Sequence, residues 1–514
     1  MVKRALGVMI AAPSSGARGA RVSRRVLAYC ALVDAIRDSS LLPGTRLPSS
    51  RQLAAEWGFT RGAVDEALAQ LQQEGLVERR VGDGTYVSAG AATLTKAGST
   101  VPVMRPISRS AQQVLERFSV YLGKPQRSEV PVVMLAEQPL FPRAPTLDQF
   151  PLDVWRKLIT RAHTEAYRDH LTYGAAAGLP RLREAIARHL SLVRGMAVSA
   201  RQVLVVNSPL HAMELITRVL LEPGDKVWLE DPGHTSMVTL FQVLRAQVVG
   251  VPLDSEGLDV AAGRALAPDA AAVYFHPVTQ YPLGVRTTTQ RLEQLMQWAD
   301  QSGAWIIEGN FNDEITHDRQ HPASLQSMDV NDRVLMMGTL EGIMYPSLRV
   351  AYLVVSERLS DVFVAMRGLL GDHTNTALQL ALTWFIEEGH LNAHLRNLRQ
   401  VVRTRRDALR ESCAKHLPPW VRLGPLDSGT HACLHLPADV PDREVVRRIR
   451  NAGVIAVSLS SSCIDPSHGN GLIIGYGAFD AAAIDGALAI IGEVLRQTVR
   501  LLKDGAYQQA GENR

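Results

Sequence analysis

Leu42 to Ser88 reads LPGTRLPSSRQLAAEWGFTRGAVDEALAQLQQEGLVERRVGDGTYVS, and this stretch decides how the N-terminal part of the chain folds. Ser49 is placed to cap a helix in which Leu53, Ala54 and Trp57 recur at helical spacing. Gly58-Phe59 turns the chain before Thr60, which is expected to cap a second helix. That helix carries Val64, Ala67, Leu68 and Leu71 on one face and meets Gly75 where a left-handed stop is needed. Leu76 to Arg80 and Thr85 to Ser88 read as short strands around Gly82-Asp83-Gly84, whose glycines permit the positive φ of a tight hairpin. Two helices across a tight turn, followed by a hairpin, predict a winged helix-turn-helix.

The residues left outside the apolar faces suit a duplex groove. Thr60, Arg61 and Gly62 open the second helix, where side chains and free amides meet base edges and phosphates. Arg51, Arg79 and Arg80 supply phosphate contacts from neighbouring elements, with Gly82, Gly84 and Thr85 on the wing. At these residues the segment resembles the DNA-binding domain of the GntR regulator family, in the pattern LPSxRxLA, a V/T-S/T-R turn and EGxxxxRxGxGTxV. Asp65 departs from relatives that place a second arginine there, which bears on specificity and not on the fold. The alternative for this module is a protein-interaction role, because helix-turn-helix geometry alone does not prove DNA contact.

The chain of 514 residues exceeds one ordinary domain, and 46% hydrophobic residues suffice for substantial cores. The four cysteines, Cys30, Cys413, Cys433 and Cys463, are far apart and lack metal-ligand spacing, so neither a disulfide framework nor a metal site is expected. Leu6 to Ala12 is too short to span a bilayer, and the arginines after it argue against a secretory signal. A cytoplasmic protein is expected. Residues 1–90 hold 12 Lys+Arg against 8 Asp+Glu, which accounts for the whole formal net charge of +4. That bias fits phosphate contacts.

Residues 1–20 read as a flexible arm, 21–89 as the winged helix-turn-helix with a first helix from about Ser23, and 90–131 as a linker. From 132 to 514 helical patterns alternate with apolar runs at Val203 to Val206, Lys226 to Leu229, Gln247 to Val251, Ala271 to Phe275, Ala304 to Ile307 and Val350 to Val355. This predicts an α/β domain around a mostly parallel sheet. From about Leu378 long helices precede strand candidates at His431 to Leu436 and Leu472 to Gly475, a small α+β subdomain.

The stretches LTYGAAAGLPRLREAIARHL, LLEPGDKVWLEDPGH, YPLGVR, GAWIIEGNFNDE and MGTLEGIMYPSLRVAYLVV resemble fold type I aminotransferases. Together with the N-terminal module they resemble the MocR branch of the GntR family over nearly the whole chain. That resemblance implies a pyridoxal phosphate cofactor, which needs a lysine for its Schiff base, an acid on the pyridine nitrogen and donors around the phosphate. The family's T-x-S-K-x-x-x-P-G-L-R pattern falls on Thr339 to Arg349 and puts Gly342 at the lysine position. Its E-D-D-Y element falls on Glu308-Gly309-Asn310-Phe311, without acid or phenol at the last two positions, and its Gly-Ser-Gln phosphate turn falls on Ser208-Pro209-Leu210. Arg349 remains at the position of a phosphate-binding arginine, and His234 where relatives stack an aromatic ring.

The resulting expectation is a DNA-binding transcriptional regulator, acting on a double-stranded operator as a homodimer. Its aminotransferase-like domain dimerises and senses a small-molecule effector without catalysis. No catalytic residue, no metal and no covalently held cofactor is expected. The alternative is an active pyridoxal phosphate-dependent aminotransferase with an accessory DNA-binding domain.

Overall fold

The computed structural model describes residues 23–37, 40–80, 82–93, 108–112, 114–115, 138–165, 172–311, 313–316 and 324–503. The expected arm, and most of the expected linker, lie outside the described residues. The chain divides into two compact units, Met1–Pro106 and Ile107–Arg514.

In the first unit α1 (Arg24–Arg37), α2 (Ser50–Trp57) and α3 (Arg61–Gln73) precede β1 (Val77–Arg80) and β2 (Gly84–Val87). Ser49 closes a capping box with Gln52, donor and acceptor exchanged between side chain and backbone at both ends. Gly58 stops α2 in the left-handed region at φ 66, where a Cβ is disfavoured. Thr60 sits at the N-cap of α3 in extended conformation, but its hydroxyl makes no capping bond, contrary to the sequence expectation. The Ala63 amide that would reach it donates instead to the Thr60 carbonyl at 3.1 Å.

Leu32 and Ile36 of α1, Leu53 and Trp57 of α2, and Leu68 and Leu71 of α3 form one buried cluster with Val77 and Val87 of the wing. The wing pairs in antiparallel register from Val77↔Val87 to Arg80↔Gly84. Its free edge is covered by the chain before α2, through the Leu47 amide on the Thr85 carbonyl and the Val87 amide on the Thr45 carbonyl.

The second unit is built on an eight-stranded sheet. In chain order its strands are β3 (Val203–Val206), β4 (Lys226–Asp231), β5 (Gln247–Asp254), β6 (Gly257–Leu258), β7 (Ala272–Phe275), β8 (Trp305–Asn310), β9 (Val334–Thr339) and β10 (Ala351–Val354). Their spatial order is β3-β10-β9-β8-β7-β4-β5-β6. The run β9-β8-β7-β4-β5 is parallel, whereas β10 is antiparallel to both β9 and β3. Strands in the parallel run are covered on both faces and read as unbroken apolar runs, as β7 does, and the edge strand β3 is likewise buried throughout. β9 is an element the sequence reading did not name. A second sheet, β11 (Arg422–Leu423), β12 (His431–His435), β13 (Val457–Ser458) and β14 (Gly471–Gly475), is antiparallel and follows the long helix His390–His416. No helix among the described residues is long and apolar enough to cross a membrane.

One ionic network ties the sheet centre to the helix Pro180–Arg194. Arg194, buried, donates to Glu308 Oε1 of β8 and to Asp313 Oδ2, both at 3.0 Å. The other Glu308 oxygen accepts from Ser324 Oγ at 2.8 Å and from the Leu325 amide at 3.0 Å. Burial pushes the Asp313 carboxyl up to about 6; Arg194 pulls against this shift, while Glu314 and Glu308 add to it. Arg194 itself is held charged by Asp313 and Glu308 against the cost of burial.

A carboxyl whose folded pKa lies above its unfolded value favours folding fully below the unfolded value, and that contribution is lost as pH rises to about 6. Asp313→Asn should therefore gain stability relative to the unsubstituted protein as pH rises from about 4 to about 6. Denaturant midpoints for both proteins across that range check this, and a pH-independent difference would contradict it.

Candidate functional site

On the first unit, α3 presents Arg61, Gly62, Asp65 and Glu66 opposite its buried Val64, Ala67, Leu68 and Leu71. Arg61, Arg79 and Arg80 are 71%, 45% and 54% exposed, and Arg51, Thr60, Gly82 and Gly84 are exposed as well, with Thr85 half-buried. The structure joins Arg61 of α3 to Arg79 of β1 through one carboxylate. Asp65 Oδ2 lies 3.4 Å from Arg61 Nε, and Asp65 Oδ1 lies 3.9 Å from Arg79 Nη2.

Arg80 folds back on the wing instead, donating to Glu78 Oε1 and lying 4.3 Å above the Tyr86 ring. Arg46, absent from the sequence expectation, donates to the Asp83 carbonyl at the hairpin tip and so adds a cation to the wing. Its only sequence signal was being a basic residue just before the LPSS cap.

In the second unit the positions implied by the resemblance gather at the carboxyl ends of the parallel strands. Gly309 and Phe311 face a cluster of rings. His234, at the start of the helix Thr235–Val243, stacks on Tyr281 at 4.5 Å and 13°. His276 lies 5.0 Å from His234 and 5.1 Å from Phe311, and His431 lies 5.0 Å from Tyr281. His276 is held rigidly, with Nδ1 at 2.8 Å from Glu230 Oε2 and Nε2 at 2.9 Å from the Tyr274 hydroxyl. This pairing suits the tautomer in which Nδ1 donates to Glu230 and Nε2 accepts from the Tyr274 hydroxyl. Burial holds His234 well below the ordinary histidine value and His431 down at about 4, so both rings are neutral at pH 7.

Sequence reasoning placed Asn310 in this site, and the pleat places it elsewhere. Glu308 meets Arg194 on one face of β8 while Gly309 faces His276 on the other, so Asn310 points to the Glu308 side. The amide of Asn310 is buried without a hydrogen-bond partner among the described residues. The ring-facing position is Gly309. A Cβ there would lie 2.6 Å from the His276 ring and 3.3 Å from Tyr274. A small cavity of about 10 Å³ lies beside His234, lined by Glu230, Met237, Val238 and Tyr274.

The expected phosphate corner is occupied by internal groups. Ser208 caps the helix Pro209–Leu220 by accepting from the His211 amide at 3.1 Å. Asn207 Nδ2 donates to both oxygens of Asp372, at 2.8 and 3.0 Å, which sets a carboxylate against that helix end. His211 Nδ1 lies 3.1 Å from Asp372 and also accepts from the Asn207 amide at 3.3 Å. Burial lowers the His211 pKa against the pull of Asp372, which favours the neutral ring that accepts from the Asn207 amide.

Gly342 lies in the turn after β9. Beside it, Glu341 stands 3.4 Å from Arg349, whose backbone is left-handed at φ 51. Among the described lysines, Lys226 pairs with Asp269 and Lys415 with Asp485, and Lys157 is exposed on the helix Leu152–Thr164.

The family model "Bacterial regulatory proteins, gntR family" matches residues 25–87, and "Aminotransferase class I and II" matches residues 144–469. The probable rhizopine catabolism regulatory protein MocR of Rhizobium meliloti is 28% identical over 436 residues, covering 85% of this chain and 86% of its own. The HTH-type pyridoxine biosynthesis transcriptional regulator PdxR of Corynebacterium glutamicum is 29% identical over 455 residues, covering 88% and 92%. Among solved structures, LysN, an alpha-aminoadipate aminotransferase of Thermus thermophilus complexed with N-(5'-phosphopyridoxyl)-L-leucine, superposes with a TM-score of 0.65 at 22% identity, covering 75% of this chain and 99% of that one. At that identity the likeness shows the fold.

The clash at Gly309 predicts a non-additive pair. Gly309→Ala should destabilise the second unit by about 1–3 kcal/mol through overpacking against a His276 ring that cannot move aside. The same substitution should cost clearly less in a His276→Ala background. A double-mutant cycle by chemical denaturation reads the coupling, and strict additivity would refute the contact.

Proposed function

This chain belongs to the aminotransferase class I and II family and carries a gntR-family module ahead of the matched region, and from that footing we propose that it is a DNA-binding transcriptional regulator whose large domain holds no covalent cofactor. The module supplies a recognition helix with Arg61 at its start and Arg79 on the adjacent strand. Two relatives of similar length carry regulator names, which supports the same reading. Arg51 and the wing residues Gly82, Gly84 and Thr85 are assigned to the DNA-contact set on their positions. The protein works in the cytoplasm, where such DNA is.

The filled crevice carries the proposal that the large domain is not an enzyme. Pyridoxal phosphate needs a lysine, a space for its ring, an acid and an anion site. Gly342 offers no amine, Tyr281 covers the stacking face of His234, and His276 takes the space an acid at 309 would fill. Asp372 and Glu341 already engage the helix end and Arg349, and a second anion would meet their repulsion. The residues present do not fit the cofactor. A small-molecule effector of other chemistry remains the role proposed for this domain.

We further propose a homodimer formed by the large domain. Tyr173 and Leu369 are 93% and 81% exposed, and a second copy covering them would remove apolar surface from water. Dimerisation also gives the short reach of one recognition helix a second half-site.

Two experiments test the function. Arg61→Ala should weaken binding to the operator by about 1–3 kcal/mol, and Arg51→Ala should weaken operator and scrambled DNA alike. Gel shifts on both DNAs check this; unchanged affinity in both variants would remove the assigned contact face. Incubation with pyridoxal phosphate, borohydride reduction and mass spectrometry should find no stoichiometric lysine adduct, and one such adduct would restore the aminotransferase reading.

A further inference from the structure

We propose that Asp65 is a specificity-determining residue that accepts a hydrogen bond from the exocyclic amine of a cytosine in the major groove, with Arg61 and Arg79 keeping its charge paired. The inference rests on the reading of the first unit as a DNA-binding module. Asp65 lies one turn after Arg61 on the exposed side of α3, and its side chain is 43% exposed. Each of its oxygens faces a different arginine, Arg61 at 3.4 Å and Arg79 at 3.9 Å, one from the recognition helix and one from β1. The three groups together carry one positive charge where two arginines alone would carry two.

A carboxylate on a groove-facing helix is repelled by every phosphate and by the acceptor edges of guanine and thymine. The base-edge group that suits it best is an amine on a base that presents no acceptor of its own in the groove, and cytosine N4 is that group, whereas adenine N6 stands beside N7. The flanking arginines make the approach tolerable by partly neutralising the acid. They also remain tied to it on DNA of the wrong sequence, so Asp65 lowers phosphate binding in general while rewarding one base pair. An asparagine at the same place would keep the acceptor, gain a donor and match adenine, which presents both.

The test uses the full chain in three forms, unsubstituted, Asp65→Ala and Asp65→Asn, each taken through selection from a random duplex library and then titrated on the selected sites. The unsubstituted protein should select a C·G pair at one position, and replacing that pair should cost about 5- to 150-fold in affinity. Asp65→Ala should be indifferent at that position and bind unselected DNA more tightly, with a steeper salt dependence as Arg61 and Arg79 become available to phosphates. Asp65→Asn should shift the selected pair to A·T. If both variants keep the original preference at every position, the proposal for Asp65 fails while the DNA-binding reading stands. If the unsubstituted protein enriches no sequence, both fail together.

Discussion

One buried arginine organises the large unit. Arg194 ends a helix and reaches Glu308 in a central strand of the sheet and Asp313 just beyond it, and no solvent screens the three groups. Removing Arg194 would leave the buried carboxylates uncompensated, at a cost on the order of 3–5 kcal/mol. Two carboxylates share that cation, with Glu314 nearby, so protonation of Asp313 relieves the excess negative charge. Because Glu308 is fixed on one face of β8, its neighbour Gly309 is fixed on the other, and the geometry of the crevice descends from that anchoring.

In the crevice the interior groups contact one another. Tyr281 supplies the ring that stacks on His234, His276 supplies the bulk above Gly309, and Asp372 supplies the anion at a helix end. Each of these contacts satisfies a neighbour: the rings pack on one another, and the carboxylate lies against a helix N-terminus.

Much of this was legible in the sequence, for identifiable reasons. The capping box at Ser49, the left-handed stop at Gly58 and the apolar runs of β3, β4, β5, β7, β8 and β10 are local signals, set within a few residues. β9 escaped because Val-Leu-Met-Met-Gly-Thr lacks the β-branched run and turn residues that mark a strand; its identity comes from lying between two others. The acid at Asp65 was visible, but the arginine across the wing that pairs with it is set by the tertiary fold. The facing of β8 was misread at Asn310, since a motif names positions without saying which side of the pleat each one takes. His276 carried no signal in sequence, as a histidine at a strand end is ordinary until the glycine opposite is seen to make its space.

The contact between Gly309 and His276 also bears on descent. Were an ancestor to have carried an acid at 309, the histidine could settle only after that side chain had gone. Once settled, held by Glu230 and Tyr274, it turns the reverse mutation into a harmful one. Regaining the acid then requires passage through a less fit intermediate or two changes at once. Such a pair would act as a ratchet: with the ring in place, a side chain at 309 could return only together with a change at 276.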